Sequence, residues 1–270
     1  IFEYNLRMSI EKKTDIAIVG LGYVGLPLAI LACRNSFRVF GVDISPQRIS
    51  RLKSGYSDNG DIDDNELKSF IDNQTLCLSS DFESISEADV IVICVPTPLK
   101  NNEPDLTFLI QAVERISKFI RRGTLVSLES TSFPGTTKQY VEDILSTNQE
   151  FGEDIYVCFS PERIDPNNKF WTVENTPKVV SSNSRKGLEL AKAFYGKLFN
   201  KIVIANSVEV AELAKLLENS FRLVNISFIN QFAEMCTSLG FSAKEVIEIA
   251  ATKPFGFTPF YPSAGIGGHC

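Results

Sequence analysis

Histidine is almost absent from this sequence of 270 residues, in which His269 is the single example. Imidazole is the commonest metal ligand and the commonest general base of enzymes. A metal site built from histidines or a Ser-His-Asp triad is therefore nearly excluded unless His269 supplies it. We predict that the protein holds no metal and that its acid–base chemistry comes from other groups.

Runs of cationic or apolar residues are also missing. The chain has 27 Lys and Arg against 33 Asp and Glu, which gives a formal net charge of −6. Because phosphate backbones and anionic lipids bind clustered positive charge, we predict that neither nucleic acid nor a membrane is a partner. No apolar run approaches the roughly 20 residues of a membrane span, and residues 1–15 are too mixed for a signal peptide. We therefore expect a cytoplasmic protein.

Paired cysteines are lacking as well. The six cysteines are scattered, without CxxC pairs. This spacing argues against a disulfide framework, and most of them are expected to be small core residues. Cys270 differs because it follows the glycine-rich run GIGGH, which favours an accessible and reactive thiol. A structural role for Cys270, and for His269 beside it, is the alternative.

What the sequence does contain is a regular alternation of short Val- and Ile-rich runs with helical patterns, such as IAIVG, a helix and then RVFGVD. Strands of this kind, each followed by a helix, predict an α/β fold with a doubly wound, Rossmann-like parallel sheet. From Ser207 to Leu239 the pattern changes to one long helix, which would span about 50 Å. A shorter helix (Ala243 to Ala251) and a stretch rich in Gly, Pro and aromatic residues follow.

These changes of pattern divide the chain into three parts. We predict a leader (1–15), a Rossmann-like domain (16–206), and a segment (207–270) with the long helix, the short helix and a glycine-rich loop. The long helix exceeds the width of the domain it leaves, so we expect it to link domains or to pack against a second subunit. The sequence starts at Ile1 rather than Met and stops after a glycine-rich run, and we expect it to be a fragment.

A dinucleotide-binding pattern follows the first predicted strand. Residues 20–25 read GLGYVG, which matches GxGxxG at the start of a helix, with Asp43 ending the second strand eighteen residues after Gly25. The glycines allow a tight turn and close approach of a pyrophosphate, while the acid binds a ribose 2′-OH. An acid there would repel a 2′-phosphate, so NAD is favoured over NADP. Arg48 is expected near the adenine or a phosphate; a structural turn and a plain surface arginine are the alternatives.

Small polar residues end two further strands. Thr97 follows CVP, and Thr131 follows LES. Because ligands of Rossmann sheets bind at the carboxyl ends of the strands, these hydroxyls can contact the nicotinamide side of the cofactor or a water. Glu162, in SPER, follows another strand and would add a carboxylate at the same edge. Turn or cap roles are the alternative for both threonines.

The long helix carries a Lys and an amide on one face. Lys215 and Asn219 are spaced i, i+4, and Glu212 lies on the same side. A cation and a carboxamide aimed at one point can stabilise a developing alkoxide, although a solvated helix face has the same composition. The residue patterns by themselves therefore indicate an NAD-dependent oxidoreductase with a candidate thiol.

Six ordered motifs add a family resemblance. GLGYVGLPLA with VDIS, CVPTPL, ESTSFPGTT, SPER, AELAKLLEN and the final GIGGHC occur in the order seen in the UDP-glucose/GDP-mannose dehydrogenase family, over about Ile16 to Cys270. The resemblance implies NAD as cofactor, a UDP-sugar as substrate and a homodimer formed through the long helix. It implies a four-electron oxidation of the C6 hydroxyl to the uronic acid through a cysteine thiohemiacetal and thioester. KLLEN with ATKPFGFTPFYPSAGIGGHC most resembles the bacterial members that act on UDP-N-acetylglucosamine.

The resemblance also assigns roles to residues. Cys270 matches the nucleophile, Lys215 and Asn219 the alkoxide-stabilising pair, Thr131 the proton-accepting site with a bound water, and Glu162 the acid/base of thioester hydrolysis. The implied NAD contacts are Gly20, Gly22, Tyr23, Val24, Gly25, Asp43, Arg48, Thr97 and Thr131. The implied substrate contacts are Glu162, Arg163, Lys215, Asn219, Phe257, Tyr261 and Gly265.

The resemblance has one departure, because the family continues past the cysteine with an aspartate four residues later and a second Rossmann-like domain. We therefore expect the 270-residue chain to bind NAD and to show little or no turnover by itself. UDP-glucose or UDP-ManNAc is an alternative substrate. A non-catalytic NAD-binding and dimerisation remnant is the alternative from a different functional class.

Overall fold

A computed structural model of the chain describes residues 14–60, 62–147, 154–164 and 170–265. The chain divides into two compact units, with the boundary between Leu213 and Ala214. The domain boundary predicted between residues 206 and 207 stays a prediction.

The first unit is built around a six-stranded sheet in which every neighbouring pair is parallel. The strands are β1 (Asp15–Val19), β2 (Arg38–Val42), β3 (Leu76–Ser79), β4 (Val90–Ile93), β7 (Leu125–Leu128) and β8 (Tyr156–Phe159). Their order in the sheet is β3-β2-β1-β4-β7-β8. The shorter pairs are β5 (Leu99–Lys100) with β6 (Glu103–Pro104), antiparallel, and β9 (Lys178–Val180) with β10 (Ile202–Ile204), parallel. The predicted doubly wound α/β fold is confirmed.

Successive residues of each central strand belong to two different cores. Ile16 and Ile18 of β1 pack in one cluster, and Ala17 and Val19 pack in the other. Since side chains alternate across a strand, both faces of the sheet are buried under helices. This double burial explains the near-continuous apolar runs of the sequence.

The helices of the described residues are α1 (Gly25–Arg34), α2 (Pro46–Lys53), α3 (Asp64–Asp72), α4 (Thr107–Ile116), α5 (Asp143–Leu145), α6 (Arg185–Tyr195), α7 (Val208–Ser238) and α8 (Ala243–Ala250). Short polar side chains cap the N-termini of several of these helices. Ser45 accepts a hydrogen bond from the Arg48 amide, and Ser184 accepts one from the Gly187 amide. These bonds satisfy amide groups that a helix leaves open in its first turn. No helix within the described ranges is both long and apolar enough to cross a membrane.

The second unit comprises most of α7, the helix α8 and the segment after it. Gly240, with a φ of +77°, ends α7, and the Phe241 amide donates back to the Cys236 carbonyl at 2.9 Å. Such a left-handed residue after a helix favours glycine. Ser242 then begins α8 by accepting from the Glu245 amide. The observed α7 differs from the predicted Ser207–Leu239 helix by one residue at each end.

A buried carboxylate in the first unit gives this fold a pH dependence. Glu142 ends a π-helical segment, Lys138–Glu142, and accepts a hydrogen bond from Asn183 Nδ2 at 2.9 Å. Burial raises the pKa of Glu142 to about 7, against the opposing effect of the Asn183 bond. Because the folded state favours the protonated form, the stabilising contribution is full below the ordinary pKa and is lost as the pH rises through 7.

We therefore expect Glu142→Gln, which mimics the protonated acid, to have its effect at high pH. The variant should match the parent at about pH 4 and exceed its free energy of unfolding by about 1 to 2 kcal/mol at about pH 8. Urea unfolding at the two pH values measures this difference, with the exposed neighbour Asp143→Asn as the control. An effect of Glu142→Gln that is equal at both pH values would contradict the prediction.

Candidate functional site

Three glycines shape the turn between β1 and α1. Gly20 has a φ of +94°, and a Cβ there would lie 2.5 Å from the Cys94 carbonyl oxygen. A Cβ at Gly25 would lie 1.9 Å from the Gly20 carbonyl oxygen. A Cβ at Gly22, by contrast, would meet only Arg48 Nη1 among the described atoms within 4 Å, at a distance of 3.4 Å. Gly20 and Gly25 are therefore needed to close the turn, whereas Gly22 leaves space beside its backbone for a ligand.

Asp43 connects this turn to the end of β2. Its Oδ2 accepts the Leu21 amide at 2.9 Å, and its Oδ1 accepts the Ser45 amide at 2.9 Å. Arg48 Nη1 lies 3.6 Å from Oδ2. The buried carboxylate is thus fixed beside the glycine turn, where lone pairs not used by these bonds can accept a ribose hydroxyl. The predicted Asp43 and Arg48 lie together with the glycines.

The donor set at this edge fits a dinucleotide. The backbone of Gly22, exposed Tyr23 and half-buried Val24 precedes the first turn of α1, and a helix N-terminus favours an anionic phosphate. The Thr97 hydroxyl donates to the Thr131 carbonyl at 2.7 Å, so the segments after β4 and β7 are tied to each other. Both threonines follow strands of the same parallel sheet as the glycine turn.

Glu162, after β8, ends a chain of buried polar groups. Lys178 Nζ donates to Glu162 Oε2 at 3.0 Å and to Glu129 Oε2 at 2.7 Å. The Tyr195 hydroxyl donates to Glu129 Oε1 at 2.6 Å and lies 2.7 Å from the Ser127 hydroxyl. The backbone amides of residues 163 and 164 donate to Glu162 Oε1 at 2.7 and 2.8 Å. We refer to Ser127, Glu129, Glu162, Lys178 and Tyr195 as the buried polar chain.

The charges of this chain are mutually adjusted. Burial works against an ionised Lys178, but the two carboxylates outweigh it and raise the lysine pKa. Burial likewise disfavours an ionised Glu162, yet the Lys178 charge and the two backbone amides lower its pKa. Burial raises the pKa of Glu129, which only Lys178 and Tyr195 partly offset. The pKa is thus lowered for Glu162 and raised for Glu129, although both carboxylates bind the same Lys178 ammonium group.

The substrate residue predicted next to Glu162 has a structural contact of its own. Arg163 Nη1 donates to the Pro177 carbonyl at 3.0 Å, and the side chain is half-buried. This bond fixes the arginine against the segment that precedes Lys178. Its predicted contact with a substrate stays a prediction.

Glu212, predicted on the same side of the long helix as Lys215, has hydrogen-bond partners of its own in the first unit. Its carboxylate is fully buried and accepts the Gly135 amide at 2.7 Å, the Thr137 amide at 2.9 Å and the Thr137 hydroxyl at 2.7 Å. Glu212 therefore binds the loop that follows Thr131. Periodicity gave the correct helix but could not identify this partner, which lies 75 residues away in sequence.

The remaining predicted residues belong to the second unit. Buried Lys215 and half-buried Asn219 lie one turn apart on α7. Gly265, with a φ of +91°, accepts a bond from Asn230 Nδ2 at 3.2 Å, which ties the segment containing exposed Phe257 and Tyr261 to α7. Cys270 and His269 lie outside the described residues. The functional roles of all these residues stay predictions.

Sequence reasoning overlooked Glu129, Lys178 and Tyr195 as parts of the site. The available signal was the charge of Glu129 and Lys178 immediately beside apolar strand residues, LVSLE and KVV. Charged residues in buried strands require a partner. Two such residues of opposite sign in one predicted sheet indicate a buried ion pair.

Comparisons with known proteins agree with this geometry. Residues 14–199 match the NAD binding domain of the UDP-glucose/GDP-mannose dehydrogenase family, and residues 209–270 match its central domain. A UDP-N-acetyl-D-glucosamine 6-dehydrogenase of Salmonella typhi is 38% identical over 96% of this chain and 60% of its own length. Protein CapL of Staphylococcus aureus is 39% identical over 95% of this chain and 60% of its own.

A solved structure of a relative has a similar fold. The UDP-D-ManNAc dehydrogenase of Pyrococcus horikoshii superposes with a TM-score of 0.87 at 35% identity, over 95% of this chain and 62% of that one. The chain therefore spans about 60% of the length of the relatives it matches. The match to the family's NAD binding domain confirms NAD as the predicted cofactor.

Proposed function

Because this chain belongs to the UDP-glucose/GDP-mannose dehydrogenase family and contains its NAD binding domain, we propose that the protein oxidises the C6 hydroxyl of a UDP-sugar to a carboxylate while two NAD⁺ are reduced. The observation that carries the proposal is the shared sheet edge. The glycine turn, Asp43, Thr131 and Glu162 all follow carboxyl ends of parallel strands, where Rossmann sheets bind ligands. A fixed anionic carboxylate thus lies at the edge that binds the cofactor.

The first oxidation requires a proton acceptor and stabilisation of the developing alkoxide. We assign the stabilisation to Lys215 and Asn219, which lie one turn apart on α7, and the proton acceptor to Thr131 with a bound water. When bound, NAD⁺ supplies the hydride acceptor for both oxidations.

The second oxidation requires a covalent adduct, because a free aldehyde has no good hydride to give. The Cys270 thiol adds to the aldehyde carbonyl and forms a thiohemiacetal, whose oxidation leaves a thioester. Water then opens the thioester to the carboxylate and frees the thiol, with Glu162 assisting that water. The role of Cys270 rests on its sequence match, GIGGHC.

UDP-N-acetylglucosamine is the substrate that we favour. The residues KLLEN and the stretch from Ala251 to Cys270 support it, as does the name of the Salmonella typhi relative. UDP-ManNAc is the second candidate, supported by the name of the Pyrococcus horikoshii enzyme and its TM-score. UDP-glucose is retained as a third, since the family as a whole is named for it.

A homodimer formed through α7 is part of the proposal. Leu217, Phe221, Val224 and Phe228 follow one another at intervals of four, three and four residues, and each is more than half exposed. This spacing forms one apolar stripe along the helix, and a stripe of this kind favours association with another apolar surface. Equilibrium sedimentation tests the assembly, and a monomer at micromolar concentration would contradict it.

The activity is tested on the complete product of the gene, whose coding DNA is first read past the Cys270 codon. The three sugar nucleotides are assayed side by side, and we expect two NADH per sugar, with UDP-N-acetylglucosamine preferred. Cys270→Ser should stop at or before the aldehyde. Full two-step oxidation by that variant would remove Cys270 from the mechanism, and NAD binding without turnover of any of the three would favour the non-catalytic alternative.

The 270-residue chain by itself provides a second comparison. We expect it to retain NAD binding and to give little or no NADH, since the curated relatives are longer. Robust turnover by this chain would show that the remainder of such proteins is dispensable.

A further inference from the structure

The buried polar chain comes closest to the surface at Glu162. The side chains of Glu129 and Lys178 are 0% and 2% exposed, whereas that of Glu162 is 10% exposed. Glu162 is also the member that lies nearest in sequence to Arg163, a predicted substrate contact. The other members of the buried polar chain therefore affect a bound ligand through their contacts with Glu162.

The titratable groups around Glu162 come from several elements. Lys178 of β9 binds Glu162 directly, Glu129 at the end of β7 binds Lys178, and the Tyr195 hydroxyl of α6 binds Glu129. The thiols of Cys94 and Cys158 lie near the same carboxylates, and burial raises the pKa of both thiols, to about 12 for Cys158. Near neutral pH the cysteines and the tyrosine are uncharged, so Lys178 is the cation of this cluster among the described residues.

The hydrogen bonds to Glu162 leave it little freedom. A carboxylate has about four acceptor sites. Three of them are taken by Lys178 Nζ and by the amides of Arg163 and Ile164. About one site is therefore left for a water or a substrate hydroxyl, and its direction is set by the other three bonds.

We propose that Lys178 is a positioning residue of the reaction, which fixes the orientation of the Glu162 carboxylate and keeps it ionised. The inference rests on the proposed function, in which Glu162 assists the water that opens the thioester. Glu129 also accepts a hydrogen bond from the Lys178 ammonium group, and the Tyr195 hydroxyl holds Glu129 in place by donating to it. A purely structural Lys178 would affect stability and leave the pH dependence of kcat unchanged.

The test measures the titration of Glu162 directly in the 270-residue chain. Isotope-labelled glutamate carboxyl carbons are followed by NMR against pH, and the loss of a signal in Glu162→Gln assigns the residue. Removing an adjacent opposite charge shifts a carboxyl pKa by about 1 to 3 pH units. We expect Lys178→Met to raise the midpoint of Glu162 by that amount and Lys178→Arg to leave it low.

A double variant separates this effect from loss of folding. Lys178→Met alone leaves Glu129 buried without its cation, so it is compared with Lys178→Met combined with Glu129→Gln. The double variant should fold more stably and keep the raised midpoint. An unchanged Glu162 midpoint in either folded variant would overturn the proposal.

If neither variant without the lysine folds, Glu129→Gln decides the matter. It leaves Lys178 with one carboxylate, so the Glu162 midpoint should fall; a midpoint that stays or rises would overturn the proposal. In the complete gene product, the acid limb of the kcat profile should move to higher pH with Lys178→Met and stay in place with Lys178→Arg. The NMR titration needs no turnover, so an inactive protein with the expected titration would refute the proposed function and leave the effect of Lys178 on Glu162 standing.

Discussion

Replacing Gly25 with alanine is expected to lower the free energy of unfolding by about 3 kcal/mol and to abolish NAD binding. The added Cβ would lie 1.9 Å from the Gly20 carbonyl oxygen and 3.1 Å from Cys94 Cβ. The first of these is a backbone atom, which cannot rotate away. The start of α1 must therefore move off β1, and this movement removes the turn that receives the pyrophosphate.

Gly22→Ala should separate NAD binding from stability. Its Cβ would meet Arg48 Nη1, the end of a flexible side chain, at 3.4 Å. The fold should therefore tolerate the methyl group, with a change within about 0.5 kcal/mol. The same methyl group occupies the space through which a phosphate approaches the backbone, so NAD affinity should fall about tenfold or more, which corresponds to 1.4 kcal/mol.

Gly60→Ala is the matched control for both variants, because a Cβ there would meet no described atom within 4 Å. Thermal unfolding and calorimetric titration with NAD⁺ on the three variants distinguish the effects. Wild-type stability of Gly25→Ala would contradict the close contact between α1 and β1. Undiminished NAD binding by Gly22→Ala would contradict the approach of the pyrophosphate at that residue.

The sequence could predict the elements of this fold because each one has a local cause. The sequence pattern predicts a helix from Pro46 to Lys53, and α2 occupies those residues because Pro46 and the Ser45 cap set its start. The pattern also predicts a helix from Leu106 to Arg121, but α4 ends at Ile116, with turns that continue to Ile120. Helix ends are decided by individual hydrogen bonds, which periodicity does not report.

The parts of the site that escaped prediction depend on distant pairs. Lys178 and Glu129 are 49 residues apart in sequence, and Tyr195 and Glu129 are 66 apart. No motif of fixed spacing connects them, because they meet only after β7, β9 and α6 have packed. Asp43 was predictable because the turn it serves lies in the same βαβ unit, with a fixed distance along the chain.

The second large effect is expected at Glu212, on the first turns of α7. Its two oxygens accept the Gly135 amide, the Thr137 amide and the Thr137 hydroxyl, and Ser132 Oγ lies 3.5 Å from Oε1. Gly135 itself has a φ of +94°. The loop is thus held in a conformation that other residues disfavour, by a carboxylate that serves as its acceptor.

Glu212→Gln is isosteric, but it replaces one acceptor oxygen with an NH₂ group that faces N–H or O–H donors. At least one charge-assisted hydrogen bond is lost, and buried donors are left facing each other. We expect the free energy of unfolding to fall by about 3 kcal/mol. For a chain of this size the melting temperature should fall by roughly 6 to 12 °C. NAD affinity should fall as well, because the loop begins at Thr131, whose carbonyl accepts the Thr97 hydroxyl.

Circular dichroism melts and NAD⁺ titrations measure both effects of Glu212→Gln. Glu114→Gln, an exposed change of the same kind on α4, is the control and should stay within about 0.5 kcal/mol of the parent. A drop in stability with full NAD affinity would mean that the loop recovers its position without the carboxylate. Parental stability of Glu212→Gln would mean that the amide satisfies the same three donors, which its single acceptor oxygen can do only if the loop rearranges.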